Sequence, residues 1–360
     1  MNCPKCTSSN IQTEGNRYLY SKTVNFDFFI CDDCGTRFAE NPKVSDPEEK
    51  RQLPTREELL KNIRARHDAE EAQQSKIDEL LNGTSLYPPP IFKSFCDSIQ
   101  NPESTLEDLL NIMAGKQDAV ERLLCFANSS IFKPSNKSES LRDLFLAYEK
   151  DIESIIYLQL ALEAVSTIEH PKALPLSRTS FWMHGITSGL SAKLVSEFLG
   201  ESKPERYFAI GLLLHIGRLA LAQSLPETAW KIFEQNKSNQ QALYKIEEAL
   251  LDFNHAQIGG NLLRKWGVSE NLIQGVILHL RPHKSKRYYL EADIFHISEV
   301  IAHDLKLGDS GEQFFPKPNA ETIQTLGLTR STLDNIKNEV IRLAEETSLL
   351  TLGKSPAPPA

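Results

Sequence analysis

Four cysteines near the start of the chain could bind a metal ion. They form two Cys-x-x-Cys pairs, Cys3 with Cys6 and Cys31 with Cys34. Each pair makes a tight turn that directs two sulfurs at one centre, and two such turns supply the four thiolates of a closed tetrahedral zinc site. Gly35 lets the backbone turn beneath the metal. The pattern therefore predicts one structural Zn²⁺ with no open position for catalysis.

Two other uses of the cysteine pairs are disfavoured. Disulfides require an oxidising compartment, and residues 1–6 carry no apolar stretch of the kind found in secretion signals. A redox-active pair would follow a strand and open a helix, which neither pair does. The other two cysteines, Cys96 and Cys125, stand alone in apolar helical contexts and are predicted to be small core residues.

Short elements on either side of the cysteines must position them. Residues 17–30 are rich in aromatic and β-branched side chains and predict two short strands. A module of residues 1–40 is too small to fold on hydrophobic burial alone and therefore needs the metal. Residues 41–83 are highly charged and predict a mostly solvated linker helix, opened by a capping box at residues 55–58. Packing of this helix on a partner helix is the alternative.

Apolar residues recur with helical periodicity from residue 84 onwards, and no convincing run of alternating strands interrupts them. The predicted fold class is therefore all-α: a helical domain over 84–305 and a helical extension over 306–352. A disordered tail is expected over 353–360. A capping box at residues 104–107 predicts one helix start. Further helices are expected over 141–165, 180–199, 205–224, 240–250, 254–265, 270–280, 290–305 and 329–350.

Charge and hydropathy restrict the partners of the chain. Its 360 residues carry a formal net charge of −8, which provides no general attraction to phosphates and makes nucleic acid an unfavoured partner. The most apolar stretch, residues 208–217, is too short to cross a bilayer and is predicted to be a core helix. No membrane association and a cytoplasmic location are expected.

Several stretches of the helical part resemble the HDOD family, a degenerate relative of the metal-dependent HD phosphohydrolases. The likeness is carried, in consistent order, by LYPPPI at 86–91, RLLCFANS at 122–129, FWMH at 181–184, GLLLHIGR at 211–218, DFNHAQIG at 252–259, LRKWG at 263–267 and ILHL at 277–280. The resemblance implies a helical HDOD fold and a role in bacterial signal transduction.

The same resemblance shows where a catalytic metal site would be. HD phosphohydrolases bind their metals through an upstream histidine and an adjacent His-Asp doublet, and the metal supplies hydroxide at neutral pH. His184 matches the upstream histidine, but Leu214 and His215 stand at the doublet. A one-residue deletion would give His215 the histidine position and still remove the aspartate. A one-residue shift also turns a side chain by about 100° around a continuous helix.

Four histidines at family positions could converge: His184, His215, His255 and His279, with Leu214 beside them. They are predicted to be hydrogen-bonded within the helix packing; a ligand pocket, or a vestigial zinc or iron site, is the alternative. Three more histidines are predicted to lie at the surface or at a boundary: His283, His296 and His303.

Asn128 and Ser129 close a helix before a loop, so their side chains are expected to bond to nearby backbone. Contact with a ligand or a partner is the alternative for this pair.

The function predicted from these patterns is that of a non-catalytic regulatory adaptor that binds protein partners. A residual metal-dependent phosphodiesterase or phosphatase acting on nucleotides is one alternative, and nucleic-acid binding through the zinc ribbon is another. Binding of a small-molecule ligand is a further alternative.

Overall fold

The computed structural model describes residues 6–18, 25–34, 36–39, 56–134, 136–239, 241–284, 289–314 and 318–353. They divide into two compact units, Met1–His67 and Asp68–Ala360. Cys3, Gly35, Thr55 and the predicted tail beyond Gly353 lie outside the described residues.

The smaller unit contains a three-stranded antiparallel sheet in the order β1-β2-β3. The strands are β1 Ile11–Tyr18, β2 Asn25–Cys31 and β3 Arg37–Ala39. The register pairs Ile11 with Cys31 and shifts between Thr13 and Gly15. Residues 17–30 were predicted to hold both strands, which is wrong for the first one. Strand β1 begins earlier, at Ile11, because it pairs with the whole of β2. A third strand also follows the second cysteine pair.

The larger unit is helical, and the all-α fold predicted from the sequence is confirmed. The described residues form sixteen α-helices: α1 Arg56–Asn82, α2 Pro90–Ile99, α3 Leu106–Met113, α4 Gln117–Ala127, α5 Leu141–Ala147, α6 Ile152–Thr167, α7 Arg178–Phe198, α8 Pro204–Leu212, α9 Ile216–Ser224, α10 Pro226–Asn239, α11 Leu243–Leu251, α12 His255–Trp266, α13 Glu270–Leu278, α14 Tyr289–Leu305, α15 Ala320–Thr325 and α16 Arg330–Leu352.

Two of the predicted helices are each divided in the structure. The segment 141–165 is broken between α5 and α6, and the segment 205–224 is broken between α8 and α9. At the second break, Leu213, Leu214 and Ile216 donate backbone hydrogen bonds to carbonyls three or fewer residues back, which forms turns instead of an α-helix. The apolar run 208–217 is therefore not one helix, although its residues are buried as predicted. His215 lies in the turn before α9 and not in a continuous helix. A one-residue shift at this position therefore does not correspond to a rotation of about 100° around a helix axis.

Two local predictions were also wrong, and one helix was missed. The capping box of α3 is formed by Thr105 and Asp108, one residue later than predicted, because Thr105 is the residue with the extended backbone that a cap requires. Cys125 is exposed on α4, whereas Cys96 is buried as predicted. Helix α10 was missed, because its sequence is polar and shows little apolar periodicity.

The stretch Pro204–Ser224 is long and apolar enough to qualify as a membrane span by length and composition. However, 89% of its window is buried inside the larger unit, as the core segment of a helical bundle requires. The turn between α8 and α9 lies within this stretch.

Helix α7 is the central element of the larger unit and packs against α8, α14 and α16. All of its residues from Phe181 to Ser196 are buried, which is typical of a helix surrounded by others. Two glycines allow close approach where the histidines lie. A Cβ at Gly217 would lie 2.0 Å from the carbonyl oxygen of His255, and one at Gly308 would lie 2.2 Å from the backbone nitrogen of His184.

Candidate functional site

Three of the four predicted zinc ligands come together in the smaller unit. One sulfur each from Cys6, Cys31 and Cys34 lies within 4.8 Å of the other two. The Sγ atoms of Cys6 and Cys31 are 3.5 Å apart, well beyond the S–S bond length of about 2.05 Å. Cys3, the fourth predicted ligand, lies outside the described residues.

Hydrogen bonds hold the chain segments on both sides of this cysteine cluster. The Cys31 amide donates to the Thr36 carbonyl over 3.0 Å, which closes the turn after β2. Asp33 accepts from the hydroxyl of Ser8 and, over 3.3 Å, from the side chain of Asn10. These bonds lower the pKa of Asp33. Hydrogen bonds thus join the two segments that carry the cysteines.

The larger unit buries a cluster of imidazoles drawn from several helices. His184 lies on α7, His215 precedes α9, His255 opens α12 and His279 follows α13. Their exposed fractions are 2%, 5%, 0% and 0%, respectively. The rings of His215 and His255 stack with centroids 5.3 Å apart and an interplanar angle of 14°. Leu214, the fifth residue predicted for this pocket, is fully buried.

A carboxylate that the sequence argument missed lies at the centre of half of this cluster. Glu299 of α14 is 1% exposed and lies 3.1 Å from Nε2 of His184 and 3.1 Å from Nε2 of His215. The hydroxyl of Ser188 donates to it over 3.1 Å, and Nε2 of His303 lies 3.3 Å away. Burial alone would raise the pKa of Glu299, but His215 and His184 outweigh it and hold the pKa well below its usual range.

Leu214 and His215 stand where the doublet was expected, and the carboxylate at this position comes instead from another helix. A signal was present, because His296, Glu299 and His303 follow each other at helical spacing on α14. His296 was predicted at the surface or a boundary and is instead 3% exposed. Its Nδ1 lies 2.8 Å from the His279 carbonyl, which draws the ring inwards. His303 lies at a boundary and His283 is exposed.

The other half of the cluster contains His215, His255 and His279, and a ring nitrogen of each lies within 4.8 Å of one from the other two. His255 donates from Nδ1 to Oε2 of Glu247 over 2.7 Å. His279 donates from Nδ1 to the Val276 carbonyl over 2.6 Å. Three ring nitrogens of this group have no hydrogen-bond partner among the described residues: His215 Nδ1, His255 Nε2 and His279 Nε2. Such a set could hold a transition metal.

Burial keeps these imidazoles neutral. It holds the pKa of His215 and of His255 well below 6.5, and it lowers the pKa of His279 to about 4. Burial also raises the pKa of Glu247, and Arg218 opposes this effect. The Arg218 Nε atom lies 3.8 Å from Oε1 of Glu247, and the guanidinium donates to the Ser310 carbonyl.

Surface cavities of the larger unit lie apart from the histidine cluster. Among those lined by described residues, four of about 380, 430, 460 and 510 Å³ contain no side chain of the cluster in their walls. The wall of the cavity of about 430 Å³ includes sequence neighbours of two cluster histidines: Asn254 precedes His255, and Leu278 and Leu280 flank His279.

Asn128 and Ser129 are engaged with local backbone. The Asn128 side chain donates to the Ser138 carbonyl and accepts from the Ser138 amide, both over 2.8 Å. The Ser129 hydroxyl donates to the Phe126 carbonyl over 2.6 Å. Both contacts close the loop after α4, away from the histidines.

Comparison with known proteins identifies this arrangement of helices. The family model of the HDOD domain matches residues 87–282, which is more than half of the chain. The chain belongs to the HDOD family. The HDOD part thus contains His184, the doublet position at residues 214 and 215, His255 and His279.

Similar proteins share the HDOD fold at low sequence identity. An HDOD domain protein of unknown function from Geobacter sulfurreducens aligns with a TM-score of 0.59 and 18% identity, over 78% of this chain and 97% of that one. A protein of Marinobacter aquaeolei VT8, provisionally named a signal transduction protein, aligns with a TM-score of 0.57 and 18% identity, over 79% of this chain and 65% of that one. At these identities the likeness shows the fold alone.

Two further proteins are also similar to this chain. A protein of Shewanella amazonensis SB2B, provisionally named a phosphohydrolase, aligns with a TM-score of 0.57 and 20% identity, over 78% of this chain and 97% of that one. An uncharacterized protein of Treponema pallidum is 22% identical over 198 residues, which cover 53% of this chain and only 37% of that protein.

Proposed function

We propose that this HDOD protein is a cytoplasmic regulator of signal transduction that acts by binding another protein and does not hydrolyse phosphoesters. The observation that supports this proposal is the engagement of Glu299. Its carboxylate already accepts hydrogen bonds from His184, His215 and Ser188 inside the core. A carboxylate used in this way holds helices α7, α9 and α14 together.

Hydrolysis would require a route for the substrate. A metal hydrolase keeps an open coordination position in a cavity that the phosphoester can enter. The four central histidines are at most 5% exposed, and the four described cavities lie elsewhere. The surface of the helical unit, and not its buried cluster, is therefore proposed to contact the partner.

The smaller unit is proposed to be a zinc ribbon in which Cys3, Cys6, Cys31 and Cys34 bind one structural Zn²⁺. The convergence of three of these cysteines supports it. The net charge of −8 favours a protein partner over nucleic acid.

One observation favours a second candidate, a residual metal-dependent phosphodiesterase or phosphatase. Three imidazole ligands leave a coordination position that holds water in catalytic zinc sites. His215, His255 and His279 offer such a set.

Turnover of phosphoesters separates the two candidates. The full chain, supplied in turn with Mn²⁺, Zn²⁺ and Fe²⁺, would be assayed on bis-p-nitrophenyl phosphate and on cyclic dinucleotides. We expect no turnover beyond that of the Glu299→Gln variant. The matched control is Glu345→Gln, an exposed position on α16. Metal-dependent turnover that Glu299→Gln abolishes and Glu345→Gln retains would refute the binding role.

Binding would be tested by affinity purification of the full chain at low and at raised salt. A discrete protein partner retained at both concentrations is expected. Recovery of nucleic acid alone, lost steeply as salt rises, would favour the nucleic-acid alternative instead.

A further inference from the structure

We propose that the helical unit holds one first-row transition-metal ion, zinc or iron(II), on three ring nitrogens: Nδ1 of His215, Nε2 of His255 and Nε2 of His279. This site is separate from the cysteines and uses nitrogen ligands where the HD relatives use a His-Asp doublet. The inference goes beyond the proposed function and does not depend on it, because a closed metal site fits a regulator as well as an enzyme.

The first step of the argument is the tautomer of each ring. His279 faces a backbone carbonyl with Nδ1, and a carbonyl can only accept, so Nδ1 carries the proton. His255 faces Glu247 with Nδ1, and His215 faces Glu299 with Nε2. A neutral imidazole has one N–H, so the opposite nitrogen of each ring is a bare lone pair.

The second step is that these lone pairs are unsatisfied. None of the three nitrogens has a hydrogen-bond partner in the part of the chain that the structure describes, and each is buried. A buried acceptor without a partner costs about 1–3 kcal/mol. One ring nitrogen of each histidine lies within 4.8 Å of one from each of the other two, so a cation between the rings would satisfy all three.

The third step is the outer partners of the rings. A metal-binding histidine commonly donates its other N–H to a carboxylate or a backbone carbonyl, which fixes the ring orientation. All three rings show this arrangement, with Glu247, Val276 and Glu299 as acceptors. Glu247 is itself held by the backbone N–H of His255 over 2.8 Å. The two carboxylates also balance the charge of a divalent ion.

The fourth step is the placement of the ligands by the backbone. Gly217 lets α9 lie against the first turn of α12, where a Cβ would collide with the His255 carbonyl. Asn254 caps α12 through the amides of Ala256 and Gln257, which fixes His255 at the start of that helix. His279 is fixed by the end of α13. The neighbouring group of His184, Glu299 and His303 fits a metal less well, because the Glu299 carboxylate is already hydrogen-bonded to His184 and Ser188.

Metal content of the full chain tests the inference. Elemental analysis would compare Cys31→Ser with a double variant that adds His255→Gln, and with a control that adds His283→Gln at an exposed position. We expect one equivalent of metal per chain in Cys31→Ser and in the His283 control, and none after His255→Gln. Equal metal content in all three proteins, or none in Cys31→Ser after incubation with zinc and with iron(II), would overturn the site.

A second measurement avoids the case in which the histidine variant fails to fold. Cobalt(II) would be added to folded Cys31→Ser, and its absorption spectrum recorded. We expect one equivalent to bind with d–d bands of nitrogen coordination and no sulfur charge-transfer band. No binding, with the histidines satisfied by water only, would overturn the inference. Metal binding together with phosphoester turnover would support the metal site and refute the proposed binding role. A failure of the metal site can therefore be distinguished from a failure of the proposed function.

Discussion

The two units bring candidate metal ligands together in opposite ways. In the smaller unit the cysteines lie on either side of one hairpin, and Cys31 itself ends β2. In the larger unit the histidines lie on or directly beside α7, α9, α12 and α13, which are separate in sequence. The cysteine cluster is proposed to bind the zinc that its small module needs to fold, whereas the histidines lie within a unit that has an extensive hydrophobic core. We therefore expect the cysteine cluster and the histidine cluster to contribute differently to the stability of their units.

The largest effect is expected from Cys31→Ser. If the ribbon needs zinc to fold, removal of one ligand loses a binding free energy of about 10–16 kcal/mol that is also folding free energy. Strands β1 to β3 should lose protection against hydrogen exchange, while the thermal transition of the helical unit stays unchanged. The control is Cys125→Ser, because Cys125 is exposed. Retained protection of the strands in Cys31→Ser would show that the two clusters do not differ in this way.

Removal of the central carboxylate should affect the helical unit strongly. Glu299→Ala leaves two imidazole N–H groups and the Ser188 hydroxyl without their buried acceptor, and we expect a loss of about 3–5 kcal/mol in the free energy of unfolding. Glu299→Gln keeps one acceptor oxygen and should lose less. Glu345→Ala on the exposed face of α16 should change little. Denaturant unfolding measures all three, and equal values for Glu299→Ala and Glu345→Ala would contradict the role of Glu299.

Acid should destabilise the helical unit before its carboxylates titrate. The pKa of His279 is lowered to about 4 in the folded state, against about 6.5 in the unfolded chain. The unfolded state therefore binds the extra proton first, so stability is complete above pH 6.5 and falls by up to about 3 kcal/mol towards pH 4. Chelator-treated protein would be unfolded across this range. A His279→Gln variant with the same pH slope would contradict the prediction.

A smaller effect is expected at the close contact between α9 and α12. Gly217→Ala places a Cβ 2.0 Å from the His255 carbonyl, and we expect a loss of about 1–3 kcal/mol from forced separation of the helices. At Gly259 the nearest atom to a new Cβ is 3.2 Å away, so Gly259→Ala should cost less. Thermal unfolding of the pair gives the order, and a reversed order would show that the contact is loose.

The sequence predicted most where its signals were local. The Cys-x-x-Cys spacing pointed to the cysteine cluster, because the ligands of a hairpin site are set by turns of a few residues. Helical periodicity gave the all-α fold and most helices. The break before α9 was missed, because an apolar run such as 208–217 looks the same whether its helix is continuous or interrupted.

Long-range packing decided the rest. Glu299 reaches His184 and His215 only because α14 lies beside α7, and no local pattern encodes that pairing. His296 was misjudged because the helix face it occupies is covered by the end of α13 and by the segment before α15, where the Asn319 amide lies 3.3 Å from its Nε2. Cys125 was misjudged because α4 leaves that face uncovered.

The closure of the histidine cluster is the central claim, and histidine nitrogen resonances test it most directly. Full-length protein labelled with ¹⁵N-histidine and supplied with zinc would be titrated with a cyclic dinucleotide. We predict that His215, His255 and His279 keep one fixed tautomer each and that their resonances do not move, with exposed His283 as the internal reference. Saturable shifts of those three resonances would show that a phosphoester reaches the cluster, and would contradict the account.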